Sequence, residues 1–166
     1  MKIIGFFIIF FSCSAYGFLK SLNYIKMLEE TRAFELFLKH IRDEISLHQT
    51  RQSEIFAKFE NKSLEKNGFM SVLRSEKICN DKSLFYNALL KHQKSLKVNR
   101  DVMNILFDFS SDFGRLPLKE QCEKCALAIS ALEDAYKTQK ADTDAKVKIS
   151  RYVGVMCGLA IILLLM

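Results

Sequence analysis

His40, Glu44 and His48 follow one another at intervals of four, so on a helix all three share one face. Two imidazoles and a carboxylate form a ligand set that a zinc-like ion accepts. The set is incomplete, however: no second element supplies a fourth ligand, and the charged neighbours mark a solvated helix face. Cys122-x-x-Cys125 invites a zinc or redox reading. Zinc needs a second pair, and the only other cysteine between the apolar ends is Cys79. A redox pair needs a βαβ setting. Both thiols fit better as small hydrophobes in a packed helix. Phosphate-cradling loops are excluded too, since residues 20–151 hold only Gly68 and Gly114 of the six glycines and such loops need them clustered. No nucleophile, base and acid fall together. The sequence therefore predicts no catalytic residue, no cofactor and no metal, and a metalloenzyme built on His40, Glu44 and His48 is the minor reading.

The elements that carry these residues read as helices. The 166 residues suit one domain, with 49% hydrophobic and 27% charged side chains. Leu22, Ile25, Leu28, Phe34, Phe37, Leu38, Ile41 and Ile45 fall at helical spacing on a first long helix. A polar break at 50–53, with Ser53 as N-cap, leads to a short helix carrying Ile55, Phe56 and Phe59, and 61–67 reads as a loop. Another short helix holds Phe69, Met70, Val72 and Leu73. Ser83 caps the next, which carries Leu84, Phe85, Ala88, Leu89 and Leu96. Asn99 caps a helix through Val102, Ile105, Leu106 and Phe109, Gly114 ends it in a left-handed C-cap, and Pro117 opens the last helix. There Leu118, Cys122, Cys125, Ile129, Leu132 and Tyr136 alternate gaps of four and three, the seam of a packed helix. Residues 137–148 form a polar, solvated helical connector. The expected fold is all-α, a compact bundle of about six helices over residues 20–148.

The two ends differ from this body. All 19 acidic residues, and every Lys and Arg except Lys2, lie within residues 20–151. The uncharged stretch 3–19 would span roughly 26 Å as a helix, close to the ~30 Å of a bilayer's apolar core. The second, 152–166, reaches a similar length if the helix starts near Ile149 and Lys148 and Arg151 snorkel. These are read as transmembrane helices over 1–19 and 149–166. Lys20 and Lys26 after the first, and Lys146, Lys148 and Arg151 before the second, place the body in the cytoplasm and both termini outside. A cleaved signal peptide is the rival, with Cys13-Ser-Ala15 as a loose cleavage site. It would export the body as a binding domain. The odd number of cysteines, five, with Cys13 and Cys157 in the apolar ends, is not a disulfide framework. Gly154-x-x-x-Gly158 is a small-x3-small pattern that lets membrane helices approach, the first span being one candidate partner. The basic balance, +6 overall, is spread among acids except near the apolar ends. It reads as contact with membrane lipid and not with nucleic acid.

In layout the chain resembles the stage III sporulation protein AB family: one span at each end and a helical body of this size. Phe37-Leu-Lys-His-Ile-Arg-Asp-Glu-Ile45-Ser-Leu-His-Gln-Thr-Arg-Gln-Ser-Glu-Ile-Phe56 looks like the family's long first helix, with Glu44-Ile45 as its Glu-Ile pair. Phe113-Gly-Arg-Leu-Pro-Leu-Lys-Glu-Gln121 is similar to the family's Leu-Gly-x-Ser-Asp-x3-Gln element, Gly114 and Gln121 standing in the matching places. Leu116-Pro117 replaces the usual Ser-Asp, and the Pro-Leu of the first turn is missing at Thr50-Arg-Gln. The resemblance implies a mother-cell membrane protein whose helical domain is similar to the inner-membrane platform domain of type II secretion. It implies a scaffold for a secretion-like channel into the forespore, with a secretion-type ATPase and other channel subunits as partners. It implies structural roles for Gly114 and Gln121, ending one helix and fixing the next. A platform or adaptor of another secretion or pilus system is the alternative within that class. Self-association into a homo-oligomer is left open by the sequence.

Overall fold

Between Lys20 and His48 there is neither glycine nor proline, and nothing in that stretch interrupts the i to i−4 ladder. In the computed structural model, which describes residues 2–48, 52–75 and 84–165, α1 accordingly runs over Lys2–His48. It is followed by α2 (Gln52–Lys58), α3 (Lys62–Lys66), α4 (Phe69–Ser75), α5 (Leu84–His92), α6 (Arg100–Asp112) and α7 (Leu118–Leu165). The described residues are all-α, with seven helices and no strand. They divide into two compact units, residues 29–137 and residues 1–28 with 138–166.

The first unit is organised around phenylalanine. Phe34, Phe37, Leu38 and Ile41 of α1 are fully buried, as the spacing predicts, whereas Leu22, Ile25 and Leu28 of the same expected stripe are only half-buried and belong to the other unit. Phe37 lies at the centre, 4.9 Å from the Phe59 ring, 5.5 Å from Phe85 and 5.8 Å from Phe56. It meets Phe69 and Phe85 edge to face, the arrangement that the ring quadrupole favours. α4 packs against α2, α3 and α5, and α5 against α6. α6 contributes Val102, Leu106 and Phe109, and α7 closes the core with Cys125, Ile129 and Leu132.

Polar groups fix the connections. Asn61 accepts from the backbone N–H of Ser63 and of Leu64, at 3.0 and 3.4 Å, and so starts α3. Gly68, at φ +75°, makes the turn into α4. Glu30 is buried, and its carboxylate accepts from Asn67 Nδ2 at 2.8 Å and from the Lys97 N–H at 2.5 Å. It thereby ties α1 to two connections that are remote in sequence. Glu35 is also buried, held by Arg32 at 2.5 Å and Lys39 at 2.8 Å. Lys39 continues to Glu133 on α7 at 2.6 Å.

Several expectations are corrected. Residues 62–66 are helical and not a loop, because the Asn61 cap and the buried Leu64 stabilise one turn. Ser53 lies inside α2 and is not its cap, and Phe59 lies just past that helix. Leu96 is buried, but beyond the end of α5. Leu118 is 47% exposed and so leaves the seam, while Ala128 joins it. The 137–148 stretch is not wholly solvated, since Gln139 and Thr143 are buried. Ser83 and Cys79 lie outside the described residues.

Among the described residues no helix is long and apolar enough to cross a membrane. The terminal transmembrane helices expected over 1–19 and 149–166 thus find no support there. Ile3, Ile4, Phe6, Phe7 and Ile9 of the first, and Ile162, Leu164, Leu165 and Met166 of the second, lie outside the residues whose side chains are described.

Candidate functional site

Two places bring together residues singled out by the sequence. The first is the corner between α6 and α7. Asn99 caps α6 by accepting from the Arg100 N–H at 2.6 Å. The helix ends at Asp112, so Gly114 is not the left-handed C-cap expected of it. It is the second central residue of a turn closed by the Arg115 N–H on the Asp112 carbonyl at 3.1 Å, and its φ of +86° lies where a Cβ is strained. Phe113 turns back into the core, its ring 5.2 Å from Phe109 and 6.2 Å from Phe56. Gln121 then closes the corner: its Nε2 donates to the Leu116 carbonyl at 2.6 Å, and its own N–H donates to the Pro117 carbonyl at 3.0 Å. An ion pair from Lys124 to Asp112 spans the same corner. The hydrogen bond and charge of Lys124 hold the Asp112 carboxyl below its ordinary range, and Asp112 raises the Lys124 amine in return. Arg115, Pro117, Leu118, Lys119 and Glu120 project to solvent from this frame.

The chemistry suggested on α1 does not assemble. His40 Nε2 donates to the Ile55 carbonyl at 3.2 Å, and its ring lies 5.3 Å from that of Phe59. Glu44 pairs with Lys58 at 3.2 Å, Ile45 belongs to the core, and the His48 side chain lies outside those described. Among the described residues no group of three or more His, Cys, Asp or Glu is placed to hold a metal. Cys122 and Cys125 are free thiols. Cys125 is fully buried, and burial pushes its thiol up to about 12, the opposite of a reactive cysteine.

The second place is the helix pair of the other unit. Gly154 and Gly158 are buried there against α1. A Cβ added to Gly154 would lie 3.0 Å from the Cys13 carbonyl and 3.0 Å from Gly17 Cα; one on Gly158 would lie 3.1 Å from the Phe10 ring. Gly17 is the tightest position, with Ser150 O only 2.6 Å from its would-be Cβ. Sequence reasoning missed it, although Gly17-x3-Ser21 on α1 repeats the small-x3-small signal and Ser150 extends the one on α7. Ser150 Oγ donates to the Gly17 carbonyl at 3.1 Å. Arg151 Nε donates to Ser21 Oγ at 3.3 Å, with its guanidinium 5.3 Å from the Phe18 ring centroid. Lys20, Lys26, Lys146, Lys148 and Arg151 are exposed, and Lys146 lies 3.2 Å from Asp142. Most of the large apolar side chains described in this unit face outward, among them Phe11, Phe18, Leu19, Tyr152, Met156 and Leu163, while Phe10, Leu22, Ile25 and Leu28 are half-buried.

No curated protein and no solved structure matches the chain. The family model described as stage III sporulation protein AB matches residues 2–166. That match takes in the corner, the glycine-packed pair and every described residue, and the chain belongs to the stage III sporulation protein AB family.

Proposed function

We propose that the protein is a non-enzymatic, membrane-anchored scaffold of a secretion-like channel between mother cell and forespore, linking a cytoplasmic secretion-type ATPase to membrane channel subunits. Family membership supports the sporulation role. The anchor rests on one observation: the helix pair of residues 1–28 and 138–166 has its surfaces reversed. Gly17, Ser21, Thr143, Gly154 and Gly158 face inward, and Phe11, Phe18, Tyr152, Met156, Leu159 and Leu163 face outward. In water a helix pair buries its large apolar residues, whereas in lipid close packing of small residues drives association. Lys20 and Lys26 on α1, with Lys146, Lys148 and Arg151 on α7, lie at the body side of the apolar stretches, where positive charge is retained in the cytoplasm. The apolar stretches are short, so the flanking basic residues reach back to the interface. The body then lies where an ATPase is found. The Gln121-braced corner and the ion-paired α1–α7 face give it rigid surfaces for helix contacts.

The test is co-purification. The full chain, tagged and extracted in a neutral detergent from cells that co-express the secretion-type ATPase of the same genome, should carry the ATPase through two affinity steps. An ATPase that remains in the soluble fraction, whether or not the chain is present, overturns the scaffold.

A further inference from the structure

A groove of about 540 Å³ runs along the glycine-packed pair, within the ~300–1,000 Å³ usual for small-molecule sites. On α1 its lining extends from Ser12 to Tyr24 and on α7 from Lys146 to Cys157, a length of roughly 18 Å at the helical rise. The helices are antiparallel, as the contact of Gly17 with Gly154 and of Phe10 with Gly158 shows. The lining therefore sorts by polarity. Lys20, Tyr24 and Lys146 stand at the body end, and Cys13, Val153 and Cys157 stand toward the termini. No acidic residue is among the described residues that line it. Lys146 is paired to Asp142 in an exposed i,i+4 geometry, which is worth little and is readily exchanged for a stronger anion. Two ammonium groups and a phenol at one end of an apolar channel are complementary to an amphiphile with an anionic head.

We infer that this groove binds one anionic phospholipid, its headgroup phosphate between Lys20 and Lys146 and an acyl chain along Val153 and Cys157. The inference rests on the membrane reading above and adds to it a specific lipid site built into the scaffold. The lipid fills the channel left between the two helices beside the Gly17–Gly154 crossing. It also gives the two lysines, whose position defines the cytoplasmic boundary, an ionic partner there.

Native cysteines supply the readout. The full chain is purified in a neutral detergent and alkylated with N-ethylmaleimide, with labelling of each cysteine followed by mass spectrometry. Added phosphatidylglycerol should slow alkylation of Cys157 roughly tenfold more than phosphatidylcholine does, the order that two lysines near one phosphate supply. Cys122, in the other unit, should react at the same rate throughout. Lys20→Gln with Lys146→Gln should abolish the difference between the lipids, and Lys26→Gln with Lys148→Gln, outside the groove, should retain it. Should the first pair of substitutions disturb folding, the wild-type comparison of the two lipids still decides. Equal protection by both lipids overturns the site, and so does equal protection by inorganic phosphate alone. Protection that rises with protein concentration and not with lipid places a second copy in the groove, and also overturns it. Failure of the membrane reading is separate: the chain would then stay in the soluble fraction on ultracentrifugation of lysed cells before any lipid is added.

Discussion

Cys125 shows how residue type can mislead and burial correct it. The Cys-x-x-Cys spacing advertises chemistry, yet the thiol is sealed in the core and stays protonated far beyond its ordinary range. In the folded chain Cys125 should resist alkylation at pH 8, while Cys122, half-buried, reacts; comparable rates at the two would contradict the packing. Because the folded-state value is raised, the contribution of Cys125 to stability is present below pH 9.0 and declines as pH rises toward about 12. Cys125→Ala should therefore remove about 1 kcal/mol of the alkaline fall in unfolding free energy at pH 10, read from urea melts. Asp112 and Glu133 have the opposite sign: Lys124 and Lys39 depress them, so their support is present at neutral pH and is lost as pH falls below the ordinary carboxylate range. At the α6–α7 corner, Gly114→Ala places a Cβ at positive φ and should cost about 1 kcal/mol. Gln121→Ala removes the bond to Leu116 and should cost a similar ~1 kcal/mol. Each would lower the thermal midpoint by about 2–4 °C, and a melt within error of the parent would show that the corner is not braced as described. Gly114 and Gln121 were legible as a pattern, whereas the atom that Gln121 binds was not. Glu30 and Glu35 left no trace in the sequence, because a buried carboxylate has the same letter as an exposed one and only the partners arriving from Asn67, Lys97, Arg32 and Lys39 distinguish it.

At the scale of elements, periodicity carried most of the information. The apolar spacing located the buried faces of α5, α6 and the parts of α1 and α7 within residues 29–137, where each turns one side to the core. It overreached at Leu22, Ile25 and Leu28, which are only half-buried, and at the exposed Leu118. It failed where a helix was too short for a period, as at α3, whose only signals are Asn61 and Leu64. It also failed where the buried face is made of small or polar residues. Gly17, Ser21, Thr143 and Ser150 line the inner side of the glycine pair, and a search for apolar stripes reads that side as solvent. Their arrangement yields a contrast within one helix. Gly17→Leu drives a side chain into the Ser150 carbonyl and the Gly154 backbone, while Gly5→Leu meets nothing within 4 Å. The first should release the pair, read as faster alkylation of Cys13, which packs against Gly154 and Gly158, and the second should leave the Cys13 rate as in the parent. Acceleration in both, or in neither, contradicts the packing of Gly17 against Gly154.

At the scale of the molecule, charge segregation was the plainest feature of the sequence, and the outward-facing large side chains give it a structural counterpart. The proposed scaffold depends on which side of the membrane the body occupies, since a cytoplasmic ATPase reaches it on one side only. Sequence reasoning drew that orientation from the basic residues flanking the apolar ends, Lys20, Lys26, Lys146, Lys148 and Arg151 among them. The most direct measurement is thiol accessibility in intact cells. All five native cysteines are replaced by alanine, and one cysteine is introduced either at the exposed Lys94 or after Met166. The cells are then treated with a membrane-impermeant maleimide, with lysed cells as the control. Lys94→Cys should be labelled only after lysis, and the C-terminal cysteine should be labelled in intact cells. Labelling of Lys94→Cys in intact cells would place the body outside and contradict the scaffold.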